Sequence, residues 1–303
     1  MVPSRRLRGL GKIANITGTM AQPRTEPPST SPTSRTIAQG GDWSLSEFIC
    51  RSGPQDKPFE EQHNWYSLSA VTHGHFSYRT STGRALLQPG AWLLGNHGKC
   101  FECGHEHGVG DRCLSLRLAP TLFHEIAANA TQDGSYRFKL PALPPLPQLL
   151  PQLAQLQAWA HKGNSHALIE AVPLLAATVL GAATHHTPTL RRPSARDERR
   201  IGRALEYIAG HAHEEGLDLA QLAGVAAMSK YHFLRTFQQT VGVTPHQYLL
   251  SVRLRQAALG LASTPQPVAR VALDAGFNDL STFNARFRKM FGAPPRVYRQ
   301  RMA

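Results

Sequence analysis

Within its last hundred residues the chain repeats itself at an offset of fifty. Phe233, Phe237, Gly242, Pro245 and Tyr248 recur as Phe283, Phe287, Gly292, Pro295 and Tyr298. A repeat of this length is one supersecondary unit used twice. In each copy a short helical stretch (Leu219 to Ala226; Pro267 to Ala275) meets a break (Ala227 to Ser229; Gly276 to Asp279) and then a second helix. The Phe residues of that second helix stand four apart and share one face. Gly242 and Gly292 fall where a left-handed helix stop is wanted, and Pro245 and Pro295 can open the next helix. Helix, short turn and helix with an apolar back is the unit whose second helix enters the DNA major groove. Away from the Phe pairs lie Ser229, Lys230, Tyr231, Leu234 and Arg235 in the first copy, and Ser281, Thr282, Ala285 and Arg288 in the second. These are groups able to meet base edges and phosphates. A helix from Pro245 to about Ala262 joins the copies; if rigid, it sets the two insertions about 34 Å apart, in successive major grooves.

The charge distribution agrees. The chain of 303 residues carries a formal +13. Residues 191–303 hold seventeen basic and eight acidic groups, 41–190 hold ten and eleven, and 1–40 hold six and one. A basic carboxyl-terminal third beside a near-neutral middle suits one domain meeting a polyanion while another does not. The length allows two domains. No apolar run is long enough to span a bilayer, and no secretory leader is recognisable, so a cytoplasmic protein without membrane attachment is expected.

Residues 1–40 read as a disordered basic tail, being rich in Pro, Ser, Thr and Arg. Residues 41–140 hold short β-branched and aromatic runs between Gly, Asn and Pro, which predict a compact all-β barrel or sandwich with a helix over Leu122 to Ala130. Residues 141–183 read as a helical segment broken near Gly163 and Asn164, able either to pair two chains or to cap the barrel. Residues 184–195 read as a linker and 196–303 as the all-α double helix-turn-helix domain.

The residues of the second copy, Ala275-Gly276-Phe277-Asn278-Asp279-Leu280-Ser281-Thr282-Phe283, then Phe287-Arg288-Lys289-Met290-Phe291-Gly292, Pro295 and Tyr298-Arg299, closely resemble the signature of the AraC/XylS regulators of bacteria. Met228 to Phe237 resembles that family's first recognition helix. The resemblance implies Tyr231, Leu234 and Arg235 as contacts of the first module and Ser281, Thr282 and Ala285 as contacts of the second. Ala285 departs from members with Arg at that place. It also implies an amino-terminal cupin-like effector domain, promoter DNA and RNA polymerase as partners, and a regulator, activators included, that needs no catalysis.

One cluster stands apart from the repeat. Cys100, Cys103, His105, His107 and Cys113 lie within fourteen residues, together with Glu102, Glu106 and Asp111. Thiolate and imidazole ligands at short spacing suit Zn²⁺ or another divalent ion, and His73 and His75 offer a second His-x-His. His105, His107 and Asp111 are also spaced like the metal stretch of cupins. A thiol switch through Cys100 and Cys103, and a plain structural or organic-effector pocket, stay open beside metal binding. The rival from another class is a metal-dependent cupin-type enzyme fused to a DNA-binding domain. Against it, the chain shows no phosphate loop, nucleophile elbow or dinucleotide fingerprint.

Overall fold

The computed structural model describes residues 32–105, 108, 110–162, 165–186 and 193–302. The described residues begin with nine strands: β1 (Thr33–Gln39), β2 (Trp43–Cys50), β3 (Phe59–Gln62), β4 (Tyr66–Gly74), β5 (Phe76–Thr80), β6 (Gly83–Leu87), β7 (Trp92–Gly95), β8 (Cys100–Gly104) and β9 (Asp111–Leu118). Helix α1 (Pro120–Thr131) and a short strand β10 (Ala142–Leu143) follow. Two antiparallel sheets result, in the orders β1-β2-β9-β4-β7-β10 and β3-β8-β5-β6. This is the double-sheet all-β architecture that jelly rolls and cupins share.

Alternation along the strands sorts side chains between two environments. On the six-stranded sheet, Leu45, Leu68, Ala70, Leu114, Leu116 and Leu118 point outward and are buried under Phe123 and Ile126 of α1 and Val172, Leu175 and Val179 of α3 (Ser165–His185). The alternate residues Cys113, Ser115 and Arg117 of β9 face the second sheet across a cavity. Of the two roles open for the helical segment, packing on its own sheet is the one seen for α3. Its Leu174 nevertheless stays 72% exposed.

The boundaries differ from the sequence expectation in two places. The tail ends early: residues 33–39, placed in it for their polar composition, form β1, because main-chain pairing with β2 needs no apolar side chains. Residues 1–31 lie outside the described residues. The segment 141–183 is not wholly helical. Leu143 is buried as β10 adds to the sheet edge beside β7, and a 3₁₀ turn (Pro147–Leu149) leads into α2 (Leu150–Lys162). Half of the expected linker, residues 187–192, falls outside the described residues, as do Gly163 and Asn164.

The rest is helical: α4 (Ala195–His211), α5 (Leu219–Val225), α6 (Lys230–Val241), α7 (Pro245–Ser263), α8 (Val268–Asp274), α9 (Leu280–Phe291) and α10 (Pro295–Met302). Helix α7 separates two cores. Its first half (Tyr248, Leu249, Val252) closes over Phe233 and Phe237 with α4 and α5, and its second half (Leu254, Ala257, Leu261) closes over Phe283 and Phe287 with α8 and α10. Fully burying one Phe side chain contributes about 1.5–3 kcal/mol, so the four rings anchor both modules. Neither core is purely its own. Leu86 of β6 joins the first, and Leu150 and Ala154 of α2 join the second.

Candidate nucleic-acid interface and inter-sheet cavity

Each second helix of the repeat is positioned by the same local chemistry. Ser229 caps α6, its side chain accepting from the His232 N–H, and Asp279 caps α9, its carboxylate accepting from the N–H groups of Ser281 and Thr282. A hydrogen bond with the Thr282 side chain, and then those backbone bonds, hold the Asp279 carboxyl below its ordinary range. Gly242 and Gly292 end the two helices in the left-handed region, at φ 84° and 70°. The turn before α6 uses Ala227 at φ 50°, where the turn before α9 uses Gly276 at φ 85°.

With Phe233 and Phe237 buried, the opposite face of α6 shows Tyr231, Arg235 and Gln238 at the helical spacing of four and three. Tyr231 is 77% exposed. The matching face of α9 shows Ser281, Ala285 and Arg288, flanked by Thr282, Asn284, Arg286 and Lys289, all exposed. The structure therefore places Lys230, Tyr231, Arg235, Ser281, Thr282, Ala285 and Arg288 on open surface. Leu234 is half-buried, and Ser229 serves as a cap. Sequence reasoning passed over Gln238 and Asn284, although the offset of fifty pairs them with Arg288 and Leu234 and was signal enough.

The Cys/His cluster resolves differently from its sequence expectation. Cys100 opens β8 and is exposed, while Cys103 is buried and lines the cavity between the sheets. Three residues apart on a strand, the two point to opposite faces, which opposes their pairing as a thiol switch. His105 and Cys113 line the same cavity as Cys103. His107 lies outside the described residues. The residue that the sequence did not offer is Cys50, fifty-five positions before His105. It reaches the cluster because β2 and β9 pair Cys50 with Asp111.

The resulting constellation is tight. His105 Nε2 lies 2.6 Å from Asp111 Oδ2, and Cys113 Sγ donates to Asp111 Oδ1 at 3.3 Å. Burial pushes the Cys50 thiol up, but hydrogen bonds with His105 and Ser52 outweigh it and leave the thiol below its usual value. Burial opposes charge on His105 as well, yet bonds to Asp111 and Cys50 raise the imidazole to about 9. Burial drives Cys103 and Cys113 well up, with nearby Asp111 adding to it. Among these three buried thiols, Cys50 is the one shifted down rather than up.

The cavity as a whole, about 230 Å³, is mixed in character. Ser67, Ser69 and Ser115 form a hydroxyl cluster with contacts of 2.8–3.4 Å. Arg117 stacks on Phe48, its guanidinium carbon 4.9 Å from the ring centroid, and its Nε is buried with no hydrogen-bond partner among the described residues. His63 bonds the Tyr78 hydroxyl at 2.8 Å and stacks on Phe101. Desolvation, helped by Arg117, lowers the His63 imidazole to about 4. An apolar wall with a few converging polar groups is the usual form of a small-molecule site. A larger cavity, about 490 Å³, lies where β6 and the 139–144 segment meet the end of α6.

A family profile described as "Helix-turn-helix domain" matches residues 222–301. The MmsAB operon regulatory protein of Pseudomonas aeruginosa is 34% identical over 129 residues, which is 43% of this chain and 41% of that protein. The arabinose operon regulatory protein of Escherichia coli is 30% identical over 102 residues, 34% of this chain and 35% of that one. The transcriptional activator RhaS of Klebsiella pneumoniae aligns over 82% of this chain and 89% of its own length, at 24% identity. Among solved structures, the DNA-binding domain of AdpA in complex with a target DNA is 30% identical, covering 34% of this chain and 91% of that one, with a TM-score of 0.33. The chain thus spans 41% of the length of the first of these relatives and 35% of the second. The carboxyl-terminal third of this chain is a helix-turn-helix domain of the AraC type.

Proposed function

We propose that this protein binds double-stranded DNA at specific sites through α6 and α9 and regulates transcription, with the β domain as its ligand-sensing unit and RNA polymerase as the machinery it acts upon. One observation carries the reading: two equivalent polar helix faces, each freed by burial of its own Phe pair, are held on a single shared helix, α7. No catalytic step belongs to it, and the location it implies is the cytoplasm. Among the described residues no helix is long and apolar enough to cross a membrane, which accords with a DNA-bound protein.

Sensing needs a route from cavity to DNA, and a short one is built in. Phe76 lines the inter-sheet cavity and pairs across strands with Leu87. Leu86, next to it, packs in the core of the first module, and Gln88 Nε2 donates to the Val241 carbonyl at the end of α6 at 3.4 Å. A ligand that shifts Phe76 therefore acts two residues from the recognition helix. Linkage requires the converse: DNA must change ligand affinity by the same factor.

Selection from random-sequence duplexes with the full chain tests the reading. Enrichment of two short motifs about one helical turn apart is the expected result. Binding that weakens with salt yet enriches no motif would overturn sequence specificity.

A further inference from the structure

We propose that Cys50, His105 and Asp111 form a site for one divalent cation of the Zn²⁺ class, with a coordination position left open toward the inter-sheet cavity. The donor atoms of these three residues all lie within 4.8 Å of one another. Tetrahedral Zn²⁺ with bonds of 2.0–2.3 Å sets its ligands ~3.3–3.8 Å apart, so small side-chain movements seat the ion. One sulfur, one nitrogen and one oxygen donor form a set that favours a borderline cation over Mg²⁺ or Ca²⁺. A thiolate and a carboxylate would neutralise the dication, which matters where all three residues are largely removed from water.

The backbone supports this placement. Cys50 closes β2, Asp111 opens β9, and His105 follows the end of β8 in the other sheet, so an ion would tie the two sheets together. Two glycines allow the close crossing. Gly74 adopts φ +72°, where a Cβ would lie 2.2 Å from the Gly110 carbonyl oxygen, and Gly110 adopts φ +70°, where a Cβ would lie 2.9 Å from the Cys50 carbonyl oxygen. His105 also stacks on Phe76, with centroids 5.8 Å apart. Seating a cation on His105 would therefore bear on the ring that leads toward α6. That regulatory consequence rests on the sensing role proposed above, whereas cation binding does not.

The test uses the reduced, chelator-treated full chain titrated with Co²⁺ and then Zn²⁺. Binding of one Co²⁺ per chain is expected, with a thiolate-to-cobalt charge-transfer band and tetrahedral d–d bands that Zn²⁺ abolishes. Cys50→Ser should remove the charge-transfer band, and His105→Gln or Asp111→Asn should weaken affinity at least tenfold. Cys100→Ser, at an exposed position outside the cluster, should change nothing. Alkylation followed by mass spectrometry supplies a readout on the unmutated chain, with burial slowing the reaction of Cys50 and Zn²⁺ slowing it at least tenfold further. No cobalt spectrum, a band that survives Cys50→Ser, or alkylation of Cys50 at one rate with and without Zn²⁺ would each overturn the site. Oxidation of Cys50 in a chain that binds no Co²⁺ would overturn it in favour of a thiol switch. None of these readouts depends on DNA, so failure of the cation site and failure of the regulator reading are separable.

Discussion

At the scale of single residues, the two copies of the repeat solve one turn with different side chains. Ala227 holds a left-handed conformation that Gly276 holds in the second copy. An L-residue there costs about 1–2 kcal/mol, offset in part by the greater unfolded-state freedom of glycine. Ala227→Gly should therefore raise stability by up to about 1 kcal/mol in urea unfolding. Gly276→Ala should lower it, since its Cβ would come within 2.7 Å of the Ala212 carbonyl oxygen. A second prediction concerns pH. His63 has its imidazole lowered from 6.5 to about 4, so between those values the unfolded chain binds more protons. Its contribution is present above pH 6.5 and lost as pH falls toward 4; between pH 7 and pH 5 the loss should be about 2 kcal/mol. His63→Gln, which can still bond Tyr78, should show a shallower decline of stability over that range. Residues are also where sequence reading was weakest. The short cluster from Cys100 to Cys113 drew attention because its members are neighbours in sequence, yet Cys50 joins it through strand register, which local spacing does not encode. Cys100 was included for its spacing and is excluded by strand parity.

At the scale of elements, most of the helical third was legible. The Phe spacing, the capping residues Ser229 and Asp279, and the terminal glycines all specify boundaries locally, and α6 and α9 form where these signals put them. The same signals located α7, whose start is fixed by a reciprocal cap: the Thr244 side chain accepts from Gln247 N–H and the Gln247 side chain accepts from Thr244 N–H. Thr244→Ala should cost about 1 kcal/mol of stability by denaturant titration. Because α7 carries both cores, that loss should appear in a single cooperative transition for both modules. On the recognition helix, Arg235→Ala should weaken binding to a selected site by about 1–3 kcal/mol. Equal weakening on scrambled DNA would reduce Arg235 to a phosphate contact. The β elements were legible as a class, through alternation and breakers, but their pairing order was not. Strand β1 was missed altogether, because an edge strand with polar side chains is written in backbone hydrogen bonds.

At the scale of the whole molecule, the two domains are joined by more than a linker. Arg84 of β6 pairs with Glu198 of α4 at 3.0 Å, α2 packs into the core of the second module, and Leu86 packs into that of the first. Arg84→Ala should loosen this junction at a cost of order 1–3 kcal/mol, between the values for exposed and buried pairs. Faster hydrogen exchange at the end of α6, with no change inside the six-stranded sheet, is the pattern expected. None of this junction was readable from sequence, where the domains looked like independent units.

Gly242 and Gly292 are the same residue of the same repeat, yet they have different surroundings. A Cβ on Gly242 would strike the Pro144 side chain at 2.4 Å, while one on Gly292 would meet nothing within 4 Å. Duplication made two readers with the same architecture, and docking has divided their labour. The first reader ends against the wall of the β domain, so a displacement of that wall would reach it first. The second reader leans on α2 along its body instead, and its closing turn meets no such wall among the described residues.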